Sequence, residues 1–332
     1  MINLIIFGIT GDLAEKKLLP ALFNLAKQKK LPKNLKIMGY SRRDFTQEEF
    51  TKLLQSKFKE KEMGKFVSKI EFTKDIAQPN SLYYLAIPPD TYKSVLLQIP
   101  KRGSKIMIEK PFGSSLATAK ALDKFISQKF SESQIYRVDH YLGKNVIKEM
   151  ERWKNGNLPA GEAGIKKKIE RIEIDIWEKE KVKGRVDFYD KTGAVRDVGQ
   201  NHMLALLTVL MGSLKNLRVA PGGERAQYKG YLPKNSKTET YFKIPATLGK
   251  TQVLLTGGKG LSENRTEVRV WLENAKNPKI FKIEKGGYET IFLAAFASNK
   301  KLFPTREQIF DQWKFTDKAL AILKQKPLRQ VS

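Results

Sequence analysis

The chain has 332 residues, 41% hydrophobic and 10% aromatic, which suits a packed core in two domains of ordinary size and argues against a disordered chain. No apolar run reaches the ~20 residues of a membrane helix, and the absence of cysteine excludes disulfides, thiol nucleophiles and thiolate-bound metals. Lysine and arginine total 62 against 35 aspartate and glutamate, and the formal charge of +27 attracts anions such as nucleic acid, phosphorylated metabolites or phosphate-bearing cofactors, unless it only reflects a lysine-rich bias that favours solubility.

The first third alternates strand and helix signals. The run 3–7 (NLIIF) reads as a strand covered on both faces. Leu18, Leu19, Leu22, Phe23, Leu25 and Ala26 follow at helical spacing. Strands are expected at 35–40 (LKIMGY), 81–87 (SLYYLAI), 105–109 (KIMIE) and 134–138, with a helix over 116–130. This alternation predicts a parallel sheet with right-handed crossovers. Beyond about residue 145 the rhythm changes. The stretch 168–177 (KIERIEIDIW) alternates polar and apolar residues, as a half-exposed antiparallel strand does. An apolar-rich helix is expected over 197–211, strands at 238–244, 251–256, 267–272 and 279–283, and closing helices at 288–297 and 306–324. Loops are expected at 156–164 and 221–224.

Between the first strand and the first helix lies Gly8-Ile9-Thr10-Gly11-Asp12-Leu13-Ala14. Glycines there permit a tight turn that brings backbone N–H groups, at a helix start, close to a pyrophosphate. The middle glycine of the usual pattern is missing, and a turn that holds no ligand is the alternative. The second strand ends Gly39-Tyr40-Ser41-Arg42-Arg43, with no acidic residue to bind ribose hydroxyls. A guanidinium at Arg42 can grip a 2′-phosphate, and Thr10 can donate a hydroxyl to it, so NADP is favoured over NAD. The other reading of Arg42 is a solvated loop residue.

The chain has two histidines. His140 lies in RVDHYLGK (137–144), just after the last strand of the parallel sheet, at the edge where such sheets bind ligands. His202 lies in RDVGQNH (196–202), at the head of the apolar helix, where Asp197 is either a functional carboxylate or a helix cap.

The segments GITGDLA (8–14), GYSRR (39–43), YLAIPP (84–89), EKPFG (109–113), RVDHYLGK (137–144), RDVGQNH (196–202), GKGL (258–261) and TEVRV (266–270) resemble, in order, those of the glucose-6-phosphate dehydrogenase family. The resemblance covers essentially the whole chain, although this chain is shorter than typical members, mainly around 212–290. It implies an α/β Rossmann-type NADP-binding domain over 1–143 and an α+β substrate domain with a mostly antiparallel open sheet over 144–332. It implies oxidation of D-glucose 6-phosphate at C1 to the 1,5-lactone, the first step of the oxidative pentose phosphate pathway; the absence of cysteine makes a cytoplasmic address the default expectation. His202 would be the general base and Asp139 its partner, a dyad suited to proton transfer near neutral pH. Gly8, Thr10, Gly11, Asp12, Leu13, Arg42 and Lys110 would contact NADP. Lys110, His140, Tyr141, Lys144, Glu178, Asp197 and Lys259 would contact the sugar phosphate. Lys17 matches a lysine near both ligands, and Pro111 a proline whose preceding bond can be cis.

Three departures from the family pattern bear on the substrate: Asn145 replaces a glutamate, Asn264 takes the place of a second basic residue with Arg265 beside it, and Trp177 replaces a lysine. No metal, no nucleic-acid partner, no membrane association and no second, structural NADP are expected, and a homo-oligomer stays an open alternative. The rival readings are a sugar oxidoreductase of the glucose–fructose oxidoreductase type, a basic binding protein that kept the fold without catalysis, and a metal site built on the histidines.

Overall fold

The computed structural model describes residues 2–78, 80–156, 168–184, 186–284 and 286–331; from residue 157 onward the loop expected at 156–164 lies outside them. The chain divides into two compact units. One comprises Met1–Phe112, Ala121–Gly143 and Gly286–Thr305; the other comprises Gly113–Lys120, Lys144–Lys285 and Arg306–Ser332. A single cut after residue 143 therefore misses two exchanged segments. Helix Tyr288–Phe296 buries Ile291, Phe292 and Ala295 in the same apolar core as Leu4, Ile6 and Leu22, which binds it to the first unit. Residues 113–120 are tied to the second. Leu116 N donates to Asp317 Oδ2 (2.8 Å), and Arg196 Nε donates to the Ser114 carbonyl (3.2 Å).

The first unit holds strands β1 (Ile2–Phe7), β2 (Leu35–Tyr40), β3 (Glu71–Phe72), β4 (Ser81–Leu85), β5 (Lys105–Glu109) and β6 (Ile135–Val138). They form one parallel sheet in the order β3-β2-β1-β4-β5-β6. Leu4, Ile5, Ile6 and Phe7 are all fully buried, as a strand covered on both faces requires. The strand order reverses between β1 and β4, and sheets of this kind bind ligands in the crevice at the carboxyl ends of such a pair.

The second unit holds β7 (Ile169–Glu178), β8 (Leu217–Val219), β9 (Glu224–Tyr228), β10 (Tyr241–Leu248), β11 (Thr251–Lys259), β12 (Arg265–Leu272), β13 (Lys279–Lys282) and β14 (Leu328–Val331). Their order is β13-β12-β7-β11-β10-β9-β14, with β8 on β10. The sheet is mostly antiparallel, with β7–β11 and β9–β14 paired in parallel.

Two expectations for this unit change. Strand β7 is central, not half-exposed, and Glu173 and Asp175 on its polar face are 6% and 2% exposed. They are tolerated because Arg269 of β12 binds both, Arg171 binds Glu173, and Thr256 of β11 binds Asp175. The helix expected over 197–211 also starts earlier. Helix Val186–Ala194 breaks at Gly193 (φ 73°), Val195–Met203 winds in wider π turns, and Leu204–Met211 returns to α geometry. Among the described residues no helix is long and apolar enough to cross a membrane.

Candidate active site

Residues 8–11 form a turn between β1 and a helix that begins at Asp12. Gly8 has φ +74°, its N–H donates to the Tyr40 carbonyl (3.2 Å), and Gly11 N donates back to Gly8 O (2.9 Å). A Cβ at Gly8 would come within 2.3 Å of Ala86 O, so only glycine allows the turn to pass so close to the end of β4. The turn thus lies at the point of strand-order reversal with N–H groups at a helix start, a fit for a dinucleotide pyrophosphate. Thr10 and Leu13 are half-buried, Gly11 is exposed, and Asp12 pairs with Lys16 at 2.9 Å. At the carboxyl end of β2, Arg42 and Arg43 are exposed. Lys74 joins them, donating to the Arg42 carbonyl (3.0 Å) and pairing with Asp44 at 2.8 Å.

At the end of β5, Glu109 is buried and accepts hydrogen bonds from the phenols of Tyr84 and Tyr288, the latter at 3.1 Å. Burial pushes the Glu109 carboxyl up to about 7, although both phenols and Lys110 favour its ionised form. The Lys110–Pro111 bond is cis. The Tyr288 ring stacks on His140, with centroids 5.4 Å apart and planes at 6°, while Tyr141 meets the imidazole edge-on at 5.0 Å. Asp139 is 4% exposed, and its Oδ1 accepts from Tyr141 N at 3.0 Å. The first unit therefore gathers Asp139, His140 and Tyr141 with two residues that sequence reasoning did not single out, Glu109 and Tyr288.

In the second unit Lys259, at the end of β11, pairs with Glu178, at the end of β7, and with Asp197 at 3.5 Å. The parallel register sets Lys259 opposite Glu178. Burial lowers the Lys259 pKa, but the two carboxylates outweigh it and hold the ammonium above its ordinary range. Asp197 is not a helix cap, since it sits inside the π-turn segment after Ala194, whose side chain caps nothing. His202 follows Asp197 by five residues. In an α-helix that spacing turns two side chains apart, whereas i→i+5 turns stack them on one face. His202 is 3% exposed, and its backbone N–H donates to Asn201 Oδ1 (2.7 Å). Lys144 Nζ donates to the Glu284 carbonyl at 2.5 Å. Lys17 is exposed on the first helical turns. Of the departures, Asn264 Oδ1 accepts from Lys179 N (2.8 Å), the Arg265 guanidinium lies over the Trp177 ring at 4.2 Å and pairs with Glu263, and Asn145 opens helix Asn145–Lys154.

The chain matches the family model of the glucose-6-phosphate dehydrogenase NAD binding domain over residues 5–75 and 60–149. It matches that of the glucose-6-phosphate dehydrogenase C-terminal domain over residues 162–217. The glucose-6-phosphate 1-dehydrogenase of Cyberlindnera jadinii is 34% identical over 338 residues, an alignment covering 81% of this chain and 68% of that protein. The enzyme of the same name from Borreliella burgdorferi is 30% identical over 337 residues, covering 81% and 70%. The crystal structure of glucose-6-phosphate 1-dehydrogenase from Mycobacterium avium shares the fold, with a TM-score of 0.85 at 24% identity over 99% of this chain and 93% of that one.

Proposed function

The chain belongs to the glucose-6-phosphate dehydrogenase family, and from that premise we propose that it oxidises D-glucose 6-phosphate at C1 to 6-phospho-D-glucono-1,5-lactone with NADP as acceptor. The observation that supports this reading most is the convergence of Glu178, Asp197 and Lys259, two hydroxyl acceptors and a cation, on the segment that carries His202.

In this reading the first unit holds the cofactor and the second supplies most of the sugar site. The turn of Gly8, Thr10, Gly11, Asp12 and Leu13 cradles the pyrophosphate, and Thr10 and Arg42 bind the 2′-phosphate. When bound, NADP supplies the hydride acceptor. His140, Tyr141 and Lys144 would grip the sugar phosphate through charge-assisted donors, and Lys110 would contact both the sugar and the cofactor. Glu178 and Asp197 accept hydrogen bonds from sugar hydroxyls, which Lys259 supports. His202 removes the C1 hydroxyl proton. Asp139 would be the carboxylate partner that steadies the imidazolium so formed and fixes its tautomer. The substrate is a small molecule and the location cytoplasmic.

His202→Asn is expected to lower turnover by about a thousandfold while calorimetry finds glucose 6-phosphate bound within about threefold of the wild type. A variant that keeps the wild-type rate overturns the base. Arg42→Asp is expected to lower kcat/KM for NADP about tenfold and leave that for NAD within about twofold, because it removes a charge-assisted contact to the 2′-phosphate alone. Equal losses with both cofactors defeat the NADP assignment.

A further inference from the structure

We propose that Glu239, which no sequence motif marks, is a positioning residue that sets the geometry of Asp197 and His202 against Lys259. The inference rests on the reading above.

The segment Val195–Met203 begins without a side-chain cap of its own. Glu239 supplies the missing acceptors from the rim of the sheet. Its carbonyl accepts from Ala194 N at 3.0 Å, and its Oε1 accepts from Val195 N at 3.2 Å. The approach is tight enough to dictate the sequence opposite. Gly193 has φ +73°, and a Cβ there would come within 2.5 Å of Glu239 Oε1, so both backbone conformation and space call for glycine. Glu239 is 8% exposed, and burial raises its carboxyl while the N–H groups, Arg196 and Arg225 oppose that rise.

The next residue fixes the other half of the site. Thr240 is fully buried, and its N–H donates to Ala226 O (2.8 Å) while its Oγ1 accepts from Tyr228 N (2.9 Å). Its carbonyl accepts from Lys259 N at 2.8 Å. Gly258 makes room for this, since a Cβ there would lie 2.3 Å from Thr240 O. Two consecutive residues thus hold the helical segment that presents Asp197 and the strand end that presents Lys259, whose side chains meet at 3.5 Å. An uncapped start is free to rotate or fray, and Asp197 is two residues from that start. Removing the Glu239 carboxylate therefore displaces the carboxylate that faces Lys259 before it disturbs the sheet.

The test compares Glu239→Ala, Glu239→Asp and Glu239→Gln in the full chain. In Glu239→Ala the KM for glucose 6-phosphate is expected to rise about tenfold, the worth of a hydrogen bond to a charged acceptor, with the KM for NADP within about twofold. Glu239→Gln keeps an oxygen acceptor for Val195 N and should bring the KM back to within about threefold of the wild type. Glu239→Asp keeps the charge but withdraws the oxygen, and must show the same split as alanine; it decides the matter where alanine fails to fold. The chain has only two histidines, so proton resonances of the two imidazoles, assigned with His140→Gln and His202→Asn, give a second readout that needs no turnover. In Glu239→Ala, or in Glu239→Asp, the His202 resonance should move. The proposal is overturned where the KM for the sugar and the His202 resonance both stay in place, where the two KM values rise together, or where Glu239→Gln is as impaired as alanine. A wild-type chain inactive on glucose 6-phosphate sinks the functional reading instead and leaves the imidazole readout to decide on Glu239.

Discussion

Two clusters of the molecule hold carboxyl groups, one of them buried and the other half-exposed around a cation, and treat them in opposite ways. In the first unit Glu109 is surrounded by phenols, and burial wins, raising its carboxyl to about 7. In the second unit Glu178 and Asp197 share Lys259, and the ion pairs win over burial, raising the ammonium. The first arrangement yields a group that can be neutral inside cells, stacked through Tyr288 against His140. The second keeps a fixed charge pattern able to read hydroxyls. A buried carboxyl is therefore informative only together with its partners.

The charged cluster is the one whose disruption should cost most. Lys259→Met leaves Glu178 and Asp197 facing each other without a cation, and kcat/KM for glucose 6-phosphate is expected to fall about a hundredfold. A loss under about threefold would mean the ammonium only neutralises its neighbours. A second charged site, on β7, separates structure from chemistry. Arg269→Met uncovers Glu173 and Asp175 and should lower unfolding free energy by about 2 kcal/mol in denaturant titration, with the KM for the sugar nearly unchanged. A shift in KM with intact stability would place that cluster in the substrate site.

The neutral cluster should respond least, and mainly through pH. The Glu109 carboxyl holds its proton more tightly folded, near 7, than unfolded, near 4.5. Between those values the folded state carries more protons, so stability is full below ~4.5, falls as pH rises towards ~7 and is level above. Glu109→Gln, which mimics the protonated carboxyl, should flatten the melting temperature across that window. An unchanged slope would assign the pH dependence to groups other than Glu109.

The same contrast explains what could be read in the sequence. Five of the six strands of the parallel sheet were legible because each is an apolar run between turn signals, which local pattern alone determines. Strands β3, β8, β9 and β14 are two to five residues long, too short to show a period. The alternation in 168–177 predicted an exposed face because it reads one strand alone, and exposure depends on β11 and β12 arriving on either side with Thr256 and Arg269. The π turns of 195–203 keep the apolar spacing of a helix loosely enough to hide where it begins. Asp139, His140, His202 and Lys259 were singled out by the motifs they lie in. Glu109 lay unremarked inside one of those motifs, and Glu239 lies in a stretch whose role appears only when Ala194 and Val195 are brought to it.

The most direct test follows absorbance of reduced nicotinamide with purified chain and NADP, with glucose 6-phosphate in one arm and glucose in the other. Steady reduction is expected with the phosphorylated sugar, and a kcat/KM at least about a hundredfold lower without the phosphate, since His140, Tyr141 and Lys144 then have nothing to grip. Equal rates with both sugars, or turnover with glucose alone, would contradict the proposed function.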